Sequence, residues 1–283
     1  MPLTGEHALE WTSGDARVVV DLVPVEVLGA LARLRTRLLQ SIDALPLGEA
    51  EHATRCDEWR TVDLVNHLAD TTHWATEVIA AASEHRESAI FEGFHVRATP
   101  KQLTDAAPRD LDAARARLHQ AMEANLHRVA EVVGLQERPT MTPVGPQPFP
   151  VAALHVLWDT WLHERDLLLP LGVQVPEHED ETRLAAVYTL RLIGFALAMM
   201  GRELSVAVRL HGATECLLRL DATRGRTSVR MVETVDGATP ELSGDAATVV
   251  DALTGRGDLA AALDGPEELR RALSPLRRFL AGR

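Results

Sequence analysis

His155, Asp159 and His163 stand at positions i, i+4 and i+8 of one continuous stretch. Imidazole and carboxylate are ligand types that divalent transition metals take. Residues four apart in a helix lie one turn above each other on the same face, so either adjacent pair is spaced to hold one ion. Using all three is harder, because eight residues span about 12 Å at ~1.5 Å per residue. A further ligand then has to come from another element, and His67 is the best candidate. It flanks the apolar stripe of a second helical stretch and so points to the edge of a bundle interior. Two ligands on one helix and one on a facing helix is a common way to build a metal centre in a bundle. The competing reading is a surface or capping His–Asp pair, in a chain that has 12 histidines.

The elements that must position these groups follow from the apolar spacing. Pro24 to Leu45 predicts a first helix, with Leu28, Leu31, Leu34, Leu38, Ile42 and Leu45 in register and Pro46 and Gly48 ending it. Thr61, as an N-cap, opens a second helix to about Ala82 that carries His67. A third spans about Pro108–Val133, with Gly134 at its C-terminal end. The Pro-rich stretch 138–150 reads as a loop, and a fourth helix, Pro150–Leu169, carries the spaced trio. A fifth, Glu181–Met200, is apolar around much of its surface and is expected to lie buried between domains. Short strand patterns follow at 204–210, 215–220 and 227–232, then helices near 245–254 and 266–281. The fold class is therefore α+β. Residues 1–22 form an extension with one possible strand at 16–20, 23–172 a four-helix bundle, 173–202 a linker and interdomain helix, and 203–283 a small α+β domain.

Composition excludes several classes. A formal net charge of −12 over 283 residues argues against nucleic acid and against an anionic membrane surface. The N-terminus lacks an apolar signal region, and the two cysteines, Cys56 and Cys216, make no disulfide framework. A reducing cytoplasm is the expected setting. Cys56 lies beside Asp57 and Glu58, which disfavour a thiolate, so a structural role is expected there, and Cys216 reads as core. Asp166 fits either a partner that orients a ligand histidine or a solvent-facing acid, whereas Asn66 and Asp70 are expected to be exposed.

The segment Arg55–Leu68, with Cys56, Trp59, Val62, Asp63, Leu64, Val65, His67 and Leu68, resembles the C-x-x-W-x-V-x-D-L-V-x-H-L signature of the mycothiol-dependent maleylpyruvate isomerase family, within the DinB-like bundle superfamily. Trp158–Asp166 is similar to its second signature, an acidic ligand four residues before H-x-x-D. Leu242–Leu259, with Gly255-Arg256-Gly257-Asp258, looks like the sterol-carrier-type domain often attached to it.

The resemblance implies a metal held by His67, Asp159 and His163, with Asp159 standing where the naming enzyme has a glutamate one methylene longer. It also implies mycothiol as cosubstrate, and a C-terminal domain that closes over the bundle site with Arg256 toward an anionic part of thiol or substrate; a solvated loop arginine is the competing reading. Trp161, with Trp59, Trp74 and Trp158, either walls a cofactor pocket or packs the bundle. Zinc is the favoured ion, although two histidines and a carboxylate also suit iron, nickel or manganese. Three protein ligands leave zinc an open position, where a thiol of ordinary pKa about 8.5 is deprotonated. The expected activity is thiol-dependent cis–trans isomerisation or S-transfer on a small organic substrate, by a monomer or homodimer. The alternatives are a mycothiol S-transferase for detoxification or natural-product assembly, and a non-catalytic binding or regulatory protein that keeps the bundle.

Overall fold

In the computed structural model the described residues are all except 1–7, 14, 58, 87, 89, 91, 93–97, 130–138, 143–144 and 281–283. The chain divides into two compact units, one of residues 28–175 and the other of residues up to 27 together with 176–281.

The helical unit is built on α1 (Pro24–Ala44), whose first turn belongs to the other unit, α2 (Thr61–Ser83), α3 (Ala98–Ala106), α4 (Leu111–Val129) and α5 (Phe149–Leu168). Leu38, Ile42 and Leu45 of α1 and its end meet Leu64, Val65 and Leu68 of α2, Leu111, Leu118 and Met122 of α4, and Leu167 and Leu168 of α5 in one core. Each set recurs at helical spacing, so each helix contributes one stripe. The N-cap of α2 is Arg60 rather than Thr61, and the Asp63 carboxylate in the first turn accepts the Arg60 N–H at 2.9 Å. Pro148 and Pro150 set the start of α5, and Gly172, at φ +71°, follows its terminal turn. Two pieces departed from expectation. Residues 98–106 form α3, and the Pro-rich 138–150 stretch holds a hairpin of β3 (Pro139–Thr142) and β4 (Gly145–Pro148). Proline is tolerated because the pair has no further strands to donate to. The expected end of the third helix, Val133 and Gly134, lies outside the described residues.

The second unit is a six-stranded mixed sheet. Its strands are β1 (Ala8–Ser13), β2 (Ala16–Asp21), β5 (Leu204–His211), β6 (Cys216–Thr223), β7 (Arg226–Met231) and β8 (Glu241–Asp245), in the order β1-β2-β7-β6-β5-β8. The sequence reading set residues 1–22 apart as an extension. Instead, Ala8–Asp21 forms an antiparallel hairpin whose second strand pairs in parallel with β7. Such pairing to a strand 209 residues away leaves no local periodicity beyond Val18–Val20, which are buried. Gly225 turns β6 into β7 at φ +75°, a conformation that side chains with a Cβ rarely adopt. Helix α6 (Glu179–Met199) packs on β6 and β7. It is long and apolar enough to cross a membrane, but 78% of its apolar window is buried inside the protein. At Gly194 it comes so close to the sheet that an added Cβ would lie 2.2 Å from Thr227 Oγ1. The short helices α7 (Ala246–Leu253), α8 (Leu259–Ala262), α9 (Glu267–Ala272) and α10 (Arg277–Leu280) close the chain, the last two replacing the single helix expected over 266–281.

Candidate metal centre

Helix α5 is buried on nearly all sides, and its charged residues are buried with it. Every such charge needs a partner to offset lost hydration. The structure supplies them: Arg37 of α1 grips Glu164 with two hydrogen bonds of 2.9 and 2.8 Å. Arg55, in the loop before α2, donates to Asp166 Oδ1 at 3.0 Å, and its backbone N–H donates to the Asp166 carbonyl at 3.1 Å. The Arg165 guanidinium lies 4.8 Å from the Trp161 ring centre. These contacts fix the α2 entry loop and α1 to α5, and with them the rotation of α5 about its axis.

That rotation aims Asp159 and His163 at His67. His163 Nε2 is 3.4 Å and His67 Nε2 3.9 Å from Asp159 Oδ1, and one ligand atom from each of the three residues lies within 4.8 Å of the others. Donors around a tetrahedral ion with bonds of about 2.0–2.1 Å are roughly 3.3–3.5 Å apart. The His163–Asp159 separation already has that value, and the His67–Asp159 separation, at 3.9 Å, is longer. His67 and His163 are both buried, their rings 4.9 Å apart and nearly perpendicular at 83°. Trp59 lies against both, 4.5 Å from the His67 ring and 6.0 Å from that of His163.

The far side of His163 is equally defined. Its Nδ1 is 3.0 Å from Asp166 Oδ2, and Asp166 has no exposed surface. Holding Nδ1–H in this way leaves Nε2 as the free lone pair, the arrangement by which a carboxylate orients a ligand histidine. Cys56 Sγ donates to the same Asp166 oxygen at 3.2 Å and is 3.9 Å from His163 Nδ1. Asp166 thus faces His163 and not solvent, and Cys56 hydrogen-bonds to it on the same side.

The electrostatics suit a ligand set. Burial lowers the pKa of His67, outweighing Asp159, so its imidazole is held neutral, the form that binds metals. For Asp159, burial alone would raise the carboxyl, but His163 and His67 beside it hold it well below the usual range. Burial alone would likewise lower His163, yet Asp159, Asp166 and Cys56 together push it well above the ordinary imidazole value. Neutral His67 and firmly ionised Asp159 fit a divalent ion, which would have to displace the proton that His163 favours. The Nδ1 of His67 is buried without a hydrogen-bond partner among the described residues, so none of them is a counterpart to Asp166 on that side.

Two expectations differ from the observed placement. Asn66 and Asp70 are buried, not exposed: Asn66 Nδ2 donates to the Val62 and Pro108 carbonyls, and Arg117 of α4 pairs with Asp70. A tight α2–α4 contact covers that face of α2. His155 stands apart from the centre and packs near Trp158, with ring centres 5.9 Å apart. Trp161 is in the core, beneath Arg165, and it is Trp59 that lines the imidazoles. Arg256 follows α7 in the sheet unit, where its Nη1 donates to the carbonyls of Thr254 and Leu280, both at 3.1 Å.

One residue near the centre had no place in the motif reading. Arg35 of α1 donates through Nη1 to Asn125 of α4, and Asn125 donates to Thr76 of α2 at 3.0 Å. Its Nε and Nη2 are buried without partners. Burial lowers its pKa to about 10, against an opposing pull from Asp159. Its signal was faint: Arg35 stands four residues after Leu31, on the stripe that turns inward.

No curated protein sequence matches the chain. Two solved structures share its fold, the mycothiol-dependent maleylpyruvate isomerase at 15% identity and a single histidine-to-alanine mutant of it at 16%; each has a TM-score of 0.63 and covers 87% of this chain and 96% of the other. The family described as the mycothiol maleylpyruvate isomerase N-terminal domain matches residues 31–168. That stretch carries all three of the converging side chains, His67, Asp159 and His163.

Proposed function

We propose that this chain is a metal-dependent enzyme that uses a low-molecular-weight thiol, mycothiol, to transform a small acidic substrate. The carrying observation is the convergence of His67, Asp159 and His163 within 4.8 Å, inside the stretch that matches the family. A divalent ion there, zinc by preference, would supply an open coordination position that favours the thiolate form of a bound thiol. The chain's own residues supply the rest. Asp166 holds His163 in the tautomer that presents Nε2, Trp59 walls the imidazoles from water, and the buried helices keep the local dielectric low.

Arg35 defines the substrate class in this reading. Its empty donors, Nε and Nη2, form one edge of the guanidinium, and that edge matches the two oxygens of a carboxylate. It is close enough to feel the charge of Asp159. A substrate held there by an acid group would present its reacting carbon to the activated thiol. With a conjugated cis double bond, addition, rotation and elimination give the trans isomer and return the thiol. With a leaving group, the thiol is consumed instead. Asp159, one methylene shorter than the glutamate of the resembling family, favours keeping S-transfer as a second reading.

The test is conversion of maleylpyruvate, the substrate named for the structural relatives, by zinc-loaded protein with and without mycothiol. Isomerisation that needs both thiol and metal and fails in His67→Ala supports the proposal. Stoichiometric thiol consumption selects S-transfer, and activity without thiol contradicts both.

A further inference from the structure

Arg191 of α6 is a second buried arginine with an empty edge, and it lies in the sheet unit. It has no exposed surface. Its single hydrogen bond among the described residues runs from Nη1 to the Tyr188 hydroxyl, at the 3.5 Å limit. Nε and Nη2 have no hydrogen-bond partner among the described residues. Around it stand three aromatic rings, with the guanidinium carbon 5.4 Å from Trp11, 5.4 Å from Tyr188 and 5.7 Å from Phe195. The indole N–H of Trp11 is also buried without an acceptor.

No carboxylate among the described residues pairs with Arg191. Ring faces offset part of the lost hydration of a cation, but a buried charge without a counter-ion remains costly. Burial accordingly lowers the Arg191 pKa. Two guanidinium donors, with the indole N–H of a neighbouring ring, and no acceptor for any of them among the described residues, describe half of an ion pair.

We propose that Arg191 and Trp11 form a binding site for an organic carboxylate with an apolar body. The two oxygens would take Nε–H and Nη2–H in the side-on bidentate geometry that matches a carboxylate, with the Trp11 N–H beside them. The body would lie against Tyr188 and Phe195. Trp11 sits on β1, the edge strand of the sheet, paired only with β2. Arg191 has no surface open to solvent, so a ligand enters only if a wall of the site moves. The site is separate from the metal-binding residues and does not rest on the thiol chemistry proposed above.

The experiment is calorimetric titration of the full-length, metal-loaded protein with benzoate, chloride and inorganic phosphate in separate arms, with melting temperature followed in parallel. Benzoate is expected to bind, raise the melting temperature and alter tryptophan fluorescence. Arg191→Met keeps the bulk and removes the charge; it should abolish the benzoate response and melt no lower than the anion-free wild type. Trp11→Phe should weaken benzoate by about tenfold, the value of one charge-assisted hydrogen bond. His67→Ala should leave the response intact. An unchanged benzoate response in Arg191→Met, or none in the wild type, overturns the proposal. Chloride or phosphate matching benzoate mole for mole overturns the assignment to an organic carboxylate.

Discussion

Replacing Asp166 with asparagine tests whether the centre is held from behind. Asp166 has no exposed surface, and its two oxygens serve opposite sides: Oδ2 takes His163 Nδ1 at 3.0 Å, and Oδ1 takes Arg55 Nε at 3.0 Å. An amide has one acceptor end. If that end faces Arg55, the amide NH₂ faces His163 Nδ1, which must give up its hydrogen, and the proton moves to Nε2, the ligand atom. If the acceptor faces His163, the NH₂ opposes a guanidinium donor. Loss of such an orienting partner costs about 10–100-fold in metal affinity, or roughly 1.4–2.7 kcal/mol.

The substitution also strips Arg55 of its partner, so a control is needed. Glu164→Gln breaks an equally buried ion pair, with Arg37, two residues away from Asp166. Both variants should lose stability, by up to ~3–5 kcal/mol if the stranded arginine stays dry and less where water reaches it. Competition with a chelator, on protein shown folded by circular dichroism, gives the affinity. Asp166→Asn should fall by the stated factor and Glu164→Gln by no more than about threefold, as expected for a site that does not share the ligand's partner. Equal losses in the two would refute the reasoning, since stability alone would then explain them. So would an unchanged affinity in Asp166→Asn.

Three further outcomes follow from the same structure. Arg35→Met should raise KM for an acidic substrate by about 10–100-fold, with a smaller change in kcat, because a ground-state carboxylate contact is lost; steady-state kinetics with acid and ester substrates checks it. Gly194→Ala should destabilise the sheet unit by about 1–3 kcal/mol, since its Cβ would lie 2.2 Å from Thr227 Oγ1 and 2.6 Å from Leu220 Cδ1; thermal melting reads this directly. Burial raises the Asp21 carboxyl pKa, with the Met231 N–H and Arg230 offsetting only part. Its folded pKa then lies above its unfolded one, so the native state holds the proton more tightly, and stability falls as pH rises through the folded pKa. Asp21→Asn should therefore be the more stable at neutral pH, with its advantage gone below about pH 4, the unfolded carboxyl range; urea melts at several pH values measure it.

How much of this was legible in the sequence depends on range. The helices that carry ligands were readable because Leu31–Leu34–Leu38 and Leu64–Leu68 repeat at 3.6-residue spacing, and Asp159 and His163 share a face by that period alone. Their meeting with His67 needed either the fold or the family signature. The helix at 98–106 was hidden because it buries little beyond Pro100 and Thr104. The β1–β2 hairpin was hidden because its partner strand, β7, is 209 residues away. Buried charge was the least legible feature. Arg37, Arg55, Glu164 and Asp166 read locally as a polar face, and only their long-range pairing makes burial tolerable. The same holds for Asn66 and Asp70, whose exposure was expected because neither Arg117 nor the Pro108 carbonyl is nearby in sequence.

The central claim is that one divalent ion is shared by His67, Asp159 and His163. The most direct measurement is the metal-to-protein ratio of the purified chain beside His67→Ala, Asp159→Ala, His163→Ala and His155→Ala. The account predicts a single ion per chain in the wild type and in His155→Ala, and its loss from each of the other three. Full metal content in any of those three, or its loss from His155→Ala, would contradict it.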